Sequence, residues 1–297
     1  MQRFVGPLLI LLCTLIWGTA FLAQKTGSAH FGPFTLTAYR NILAGVSLLG
    51  AVAFRAGGRL GWWRCSRMEL VGGGCSGVAL FLAMIAQQLG IERTTPGISA
   101  FLTANYILLV PIFALLVGKG RAGLSVWGGV ALALAGSYFL SVSPESGLTG
   151  IGSGELWTLL CAVLFAVQIM VVDHFAPGSD MLRFSMVQMF AAGLVAFPFV
   201  FLPSELARAS WQGFVKGIPA LVYLGIFSSG IAYTLQNLGQ ARTPPALAAI
   251  LMSMESVFGA LFGWLLLGDL LSSRQIVGCL LVLSAVILSQ LLPARRT

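Results

Sequence analysis

QQLGIERTTP, residues 87–96, returns as QNLGQARTPP at residues 236–245. At an offset of 149, the pairs Gln87/Gln236, Leu89/Leu238, Gly90/Gly239, Arg93/Arg242, Thr94/Thr243 and Pro96/Pro245 are identical. Gln88/Asn237 and Thr95/Pro244 are close in chemistry or conformation. The chain has 297 residues, so the offset is half its length, and an internal repeat constrains the fold before anything else does. Each copy lies between two long apolar runs, with Gly read as ending one helix and Pro as starting the next. The likeness extends outward. With one more residue of offset, Gly118 pairs with Gly268, Gly128 with Gly278 and Ala135 with Ala285. Earlier in each half, Trp17-Gly18 matches Phe165-Ala166, and Arg40 matches Gln188. The division expected is 1–146 and 147–297.

Composition says what solvent the repeat lives in. Hydrophobic residues make up 58% and charged residues 9%, with a mean hydropathy of +0.93, whereas a soluble domain is about 25% charged. Apolar runs of about 20 residues suffice to cross a bilayer as helices. Ten are read here, at 4–24, 33–54, 69–89, 96–117, 123–142, 154–175, 181–202, 214–237, 245–267 and 274–292. The two-residue alternation of an outer-membrane barrel is absent. Five spans per half is odd, so the second copy enters the membrane the other way round. The fold expected is an all-α polytopic membrane protein of ten transmembrane helices, two inverted five-helix repeats, with a substrate site where they meet. With the N-terminus inside, inner segments hold eleven of the seventeen Lys and Arg and outer segments five, Arg40 being within a span. Positive charge favours the cytoplasmic side, so both termini are placed there, in a bacterial-type inner membrane.

Several functions are excluded by what the residues lack. The net charge of +8 sits in short loops, which does not make a nucleic-acid surface. The five cysteines are scattered, without a CxxC pair, and read as packing residues. Run 4–23 is longer than a signal-peptide core. His30 and His174 lie near opposite ends of spans, so no metal, cofactor or catalytic cluster is expected, and no phosphate loop is present. The chain reads as a non-enzyme that works inside the bilayer.

Polar groups within spans remain. Glu255, mid-span in LMSMESVFG, is costly at that depth unless paired, hydrated or neutral. It reads as a protonatable or substrate-contacting carboxylate facing a cavity, or as a structural carboxyl. Arg40 is its natural countercharge. Asn105 and Tyr106 hold the repeat position of Glu255-Ser256; an amide beside an aromatic suits an amino acid's polar groups and side chain, though Asn also joins helices. Trp17 is expected to line the cavity. Gln87, Gln236 and Asn237 read as helix-end anchors, and Gln168 and Gln188 as amides facing either the pathway or another helix. Gly73/Gly77 and Gly259/Gly263 permit close helix packing, and Pro111 is expected to kink the fourth span.

WGTAF in the first span, Arg40 in the second and FLTANYILLVPIFALL in the fourth resemble EamA-type permeases of the drug/metabolite transporter superfamily. SMESVFGALFGWLLLGD, within residues 252–269, is similar to that family's second-half signature, a Glu-Pro pair followed by a Gly-Glu ending. Here Ser256 stands for the Pro and Asp269 for the Glu, and Gly118-Lys119-Gly120 replaces the corresponding first-half acid. The resemblance implies secondary transport by alternating access. It points to export of amino acids or similar small metabolites, with Trp17, Asn105, Tyr106 and Glu255 as substrate-binding residues. A proton is the candidate coupling ion, through Glu255 with or without Arg40. A quaternary-ammonium or drug exporter, and a non-transporting scaffold or membrane enzyme, stand as alternatives. Beyond membrane lipids and a small-molecule substrate, no partner is implied.

Overall fold

The structure, a computed structural model, describes residues 4–57, 64–94, 96–118, 123–142, 152–268 and 270–291, with backbone alone at 21, 22, 25, 96, 97, 267 and 291. Arg3, Arg59, Lys119, Arg121, Arg295, Arg296 and Asp269, and the expected division between 146 and 147, lie outside them. Every regular element among the described residues is helical.

The first repeat contains α1 (Val5–Ser28), α2 (Pro33–Ala56), α3 (Arg67–Ile91), α4 (Pro96–Thr103), α5 (Tyr106–Leu116) and α6 (Leu124–Ser141). The second contains α7 (Ser153–Phe175), α8 (Met181–Ala196) with a 3-10 extension to Phe201, and a short α9 (Pro203–Leu206). It continues with α10 (Trp211–Val222), a π-helical segment (Tyr223–Ile231), α11 (Ala232–Gln240), α12 (Pro245–Met252), α13 (Met254–Phe262), a second π-helical segment (Gly263–Leu267) and α14 (Ser273–Leu291). Taken as continuous spans (α4 with α5, α10 with α11, α12 with α13), these are ten membrane helices. Among the described residues, nine are long and apolar enough to cross a bilayer, and the apolar stretch Val5–Ala20 begins the tenth. Below, the near end is the one where α1 begins, and the far end the other.

The two repeats interlock rather than lie side by side. α3 packs on α7 and on α8, and its repeat counterpart α10–α11 packs on α1 and α2; α5 meets α7 as α13 meets α1; α2–α8 and α6–α14 are self-related pairs. Lipid tails are as apolar as leucine, so such packing depends on close contact more than on hydrophobic transfer. Glycine supplies it. A methyl group at Gly77 of α3 would meet the carbonyl oxygen of Gln188 on α8, and one at Gly73 would lie 2.8 Å from the Phe184 carbonyl. Gly18 is packed in the same way against Phe258 and Gly259.

The decapeptide glycines are a correction to the sequence reading. Gly90 and Gly239 do not end their helices: α3 runs on to Ile91 and α11 to Gln240, and neither glycine has a positive φ. They are contact points instead. Gly239 lies against Gly6 and Ile10 at the near end, and Gly90 against Gly154 and Thr158 at the far end. Pro96 and Pro245 do start helices.

Each repeat also caps a helix of the other. At the near end, Glu69 completes a capping box with Ser66 and accepts a hydrogen bond from the Asp180 amide, 3.0 Å, where α8 begins. Burial pushes the Asp180 carboxyl up, but its hydrogen bond and ion pair with Arg55 outweigh this and hold it below its ordinary range. At the far end, Glu205 accepts from the amides of Phe34 (3.3 Å) and Thr35 (3.0 Å), where α2 begins. Orphan amides of a helix start are satisfied across the repeat boundary in both places.

Candidate functional site

Spans four and nine are both broken at midspan. In span four, the amide of Asn105 bonds Leu102 O (3.2 Å), and in span nine that of Ser253 bonds Ile250 O (3.2 Å). At each break, a polar side chain reaches back to the same carbonyl: Asn105 Nδ2 to Leu102 O at 2.9 Å, and Ser253 Oγ to Ile250 O at 2.6 Å. Short polar side chains compete with the helix ladder in this way. Pro111, six residues after Asn105, lies within α5, and span nine breaks without a proline. The break belongs to the backbonding side chain at Ala104-Asn105, and Pro111 lies inside the helix that follows it.

The first turn after each break meets a cavity at the centre of the molecule. Tyr106 of α5 and Glu255 of α13 line it, with Trp17 of α1, Arg40 of α2, Phe165 and Gln168 of α7, Ser228 of the π-helical segment Tyr223–Ile231 and Tyr233 of α11. The unfilled space, mouth and open solvent included, is about 1050 Å³. The lining continues past Thr37, Gln24, Gln87 and Gln88 toward the far end, where Gln24 Nε2 donates to Gln88 Oε1 at 2.6 Å. Toward the near end it stops at Gln168 and Gln236, which share a 3.4 Å hydrogen bond, below which the Gly6–Gly239 contact closes the bundle.

Aromatic rings fix the shape. Trp17 and Tyr233 pack edge to face with centroids 4.9 Å apart, and Tyr106 and Phe165 do so at 6.5 Å. Trp17 Nε1 donates to Ser228 O at 3.1 Å, so the indole has a polar handle as well as a buried face.

Trp17, Tyr106, Glu255 and Arg40 are thus brought together; Asn105 is not among the lining residues. Its amide is spent on Phe101 O and Leu102 O, so it shapes the break rather than facing the cavity. The ion pair considered for Arg40 and Glu255 does not form. Arg40 donates instead from Nε to Ser229 Oγ (2.9 Å) and from Nη2 to Ser228 Oγ (3.1 Å). The Glu255 carboxylate has neither a hydrogen bond nor an ion pair among the described residues. One acid and one base line the same cavity, each without a charged partner. Of the amides left open by the sequence, Gln168 lines the cavity, whereas Gln188 accepts from Asn237 at 2.7 Å within the α8–α11 contact. Phe165 entered the sequence reading only as the repeat match of Trp17, and Tyr233, Thr37 and Ser228-Ser229 were not singled out; for the serines, the SSG stretch in an apolar span is the available signal. Among the described residues no group of His, Cys, Asp and Glu is arranged to hold a metal.

Known proteins share this architecture. A solved crystal structure superposes with a TM-score of 0.80 over 96% of each chain, at 21% identity, a likeness of fold. An uncharacterized transporter of Archaeoglobus fulgidus is 29% identical over 290 residues, covering 98% of this chain and 87% of the relative. The uncharacterized inner membrane transporter YedA of Escherichia coli is 26% identical over 92% of this chain and 87% of its own length. A chloroplastic WAT1-related protein of Arabidopsis thaliana is 27% identical over 92% of this chain and 66% of its own length. The EamA-like transporter family matches twice, at residues 4–142 and 152–291. With two copies of that unit built around a central cavity, the chain is a multi-pass membrane transporter, not an enzyme, and belongs to the EamA-like transporter family.

Proposed function

We propose that this transporter exports amino acids, or similar small amphipathic metabolites, across the inner membrane by alternating access, with its near end cytoplasmic. The observation that carries the substrate class is the pair of opposite charges, Arg40 and Glu255, lining one cavity without bonding each other. A zwitterion has a carboxylate for the guanidinium and an ammonium for the carboxylate. It would cover both buried charges at once, and an unpaired charge at this depth is costly. Trp17, Tyr106, Phe165 and Tyr233 offer apolar faces to a side chain. A lipophilic cation would satisfy Glu255 and the rings but would leave Arg40 facing a second positive charge, which disfavours the drug-exporter reading. A proton is the coupling ion that Glu255 suits.

The test is a melting-temperature screen of the purified protein against the twenty amino acids and a set of quaternary ammonium ions, followed by flux in proteoliposomes. Amino acids should stabilise the wild type. Trp17→Ala and Tyr106→Ala should lower the melting temperature through lost packing and, beyond that, should remove the shift that the amino acids give the wild type. Stabilisation by the ammonium ions alone would replace this reading with the cation exporter, and binding without flux would end the transport reading.

A further inference from the structure

Ser228 and Ser229 are neighbours in sequence, yet both reach one guanidinium, at 3.1 and 2.9 Å. Successive residues of an α-helix point about 100° apart and do not ordinarily share one target. Here they sit inside the π-helical segment Tyr223–Ile231, a geometry that is rare and concentrated at functional sites. The same segment turns the backbone carbonyl of Ser228 toward Trp17 Nε1. One irregular stretch therefore holds both a charged and an aromatic side of the cavity.

The partners of Arg40 define what is left of it. Nε and Nη2 donate to neutral hydroxyls, and Nη1 donates no hydrogen bond among the described residues. The hydroxyls bring no negative charge, so the guanidinium is oriented without being neutralised. Glu255, which lines the same cavity, pairs with neither Arg40 nor any other described residue. Resting on the amino-acid reading above, we propose that Ser228 and Ser229 determine specificity for a free carboxylate. They clamp Arg40 so that its Nη1 edge alone is presented to the substrate. They are positioning residues: the substrate's carboxylate meets Arg40, and the serines fix where it is met. A guanidinium recognises carboxylates by direction as well as by charge, so a swinging Arg40 attracts an acid but selects it poorly.

The two cavity walls give separable readouts. Alanine at 228 and 229 removes the hydroxyls but leaves the Ser228 backbone carbonyl that anchors Trp17, so the aromatic wall stays in place. The experiment measures affinities of the purified protein for the twenty amino acids, each beside its α-carboxamide, in the wild type, Ser228→Ala/Ser229→Ala, Ser229→Thr and Arg40→Gln. The wild type should prefer the free acid. The double alanine variant should lose about tenfold of that preference, the worth of one well-placed charged hydrogen bond, while carboxamide affinity stays within about twofold. Ser229→Thr, which keeps the hydroxyl, should retain the preference, and Arg40→Gln should abolish it. A variant that weakens acid and carboxamide alike shows a general loosening of the fold and overturns the proposal. So does an unchanged or increased preference, which would make the serines bystanders or competitors for Arg40. A wild type that binds acids and carboxamides equally, or neither, overturns the amino-acid reading itself, and this inference with it.

Discussion

Glu255 is the residue on which sequence and structure agree most closely in placement and differ most in chemistry. A lone acid in LMSMESVFG is legible because nothing else in the span is ionisable, and the side chain lines the cavity. Its expected partner was legible only as a charge of opposite sign, Arg40. The hydroxyls that hold Arg40 instead are spelled by two ordinary serines, whose reach depends on a π-helical register that no side-chain pattern announces. Asn105 misled for a related reason: an amide mid-span looks the same whether it faces a ligand or backbonds a broken turn. Since Glu255 has no partner to lose among the described residues, Glu255→Gln should fold and melt like the wild type. As a proton-coupling site, it should retain substrate exchange in proteoliposomes and fail to accumulate substrate when a pH difference is imposed. Undiminished uphill transport by the folded variant rules out coupling through this carboxyl.

Helices in this molecule are positioned by what they lack. The small residues of α3 were legible as a packing stripe, and Gly73 and Gly77 indeed meet the backbone and side chains of α8. The stripe alone did not separate contact glycines from lipid-facing ones. Gly74, between them, has nothing within 4 Å of an added methyl group. Gly77→Ala should therefore cost about 1–3 kcal/mol as overpacking against a backbone that cannot yield, read as a lowered melting temperature. Gly74→Ala should leave stability unchanged or raise it by up to about 1 kcal/mol, the propensity difference. Equal effects at the two positions would mean that α3 and α8 do not touch as described. Breaks in the spans were less legible than contacts. Proline drew attention to position 111, while the interruption lies where Asn105 and Ser253 bond backward.

At the scale of the whole molecule, the repeat and its odd number of spans were written openly in the decapeptides, and they settle the architecture without any site residue. Orientation rests on lysine and arginine counts. The two exposed alanines Ala209 and Ala241 lie in loops at opposite ends of the bundle. In a background lacking the five native cysteines, Ala209→Cys should react with an impermeant thiol reagent in intact cells, and Ala241→Cys only after permeabilisation. The reverse pattern turns the molecule over, and labelling of both from one side is incompatible with the inverted repeat. The interlocking of the halves also bears on how the protein is made. α1, α2 and α3 find their principal neighbours in helices of the second repeat, α7 and α8 for α3, α8 for α2, and α11 and α13 for α1. At about 5–20 residues per second, the ribosome delivers the neighbours of α3 roughly 3–20 s after α3 itself, and those of α1 roughly 10–50 s after α1. For that interval the glycine-lined faces of α3 and α1 are covered by lipid or by whatever the insertion machinery holds against them, so assembly of the native bundle waits on the end of translation.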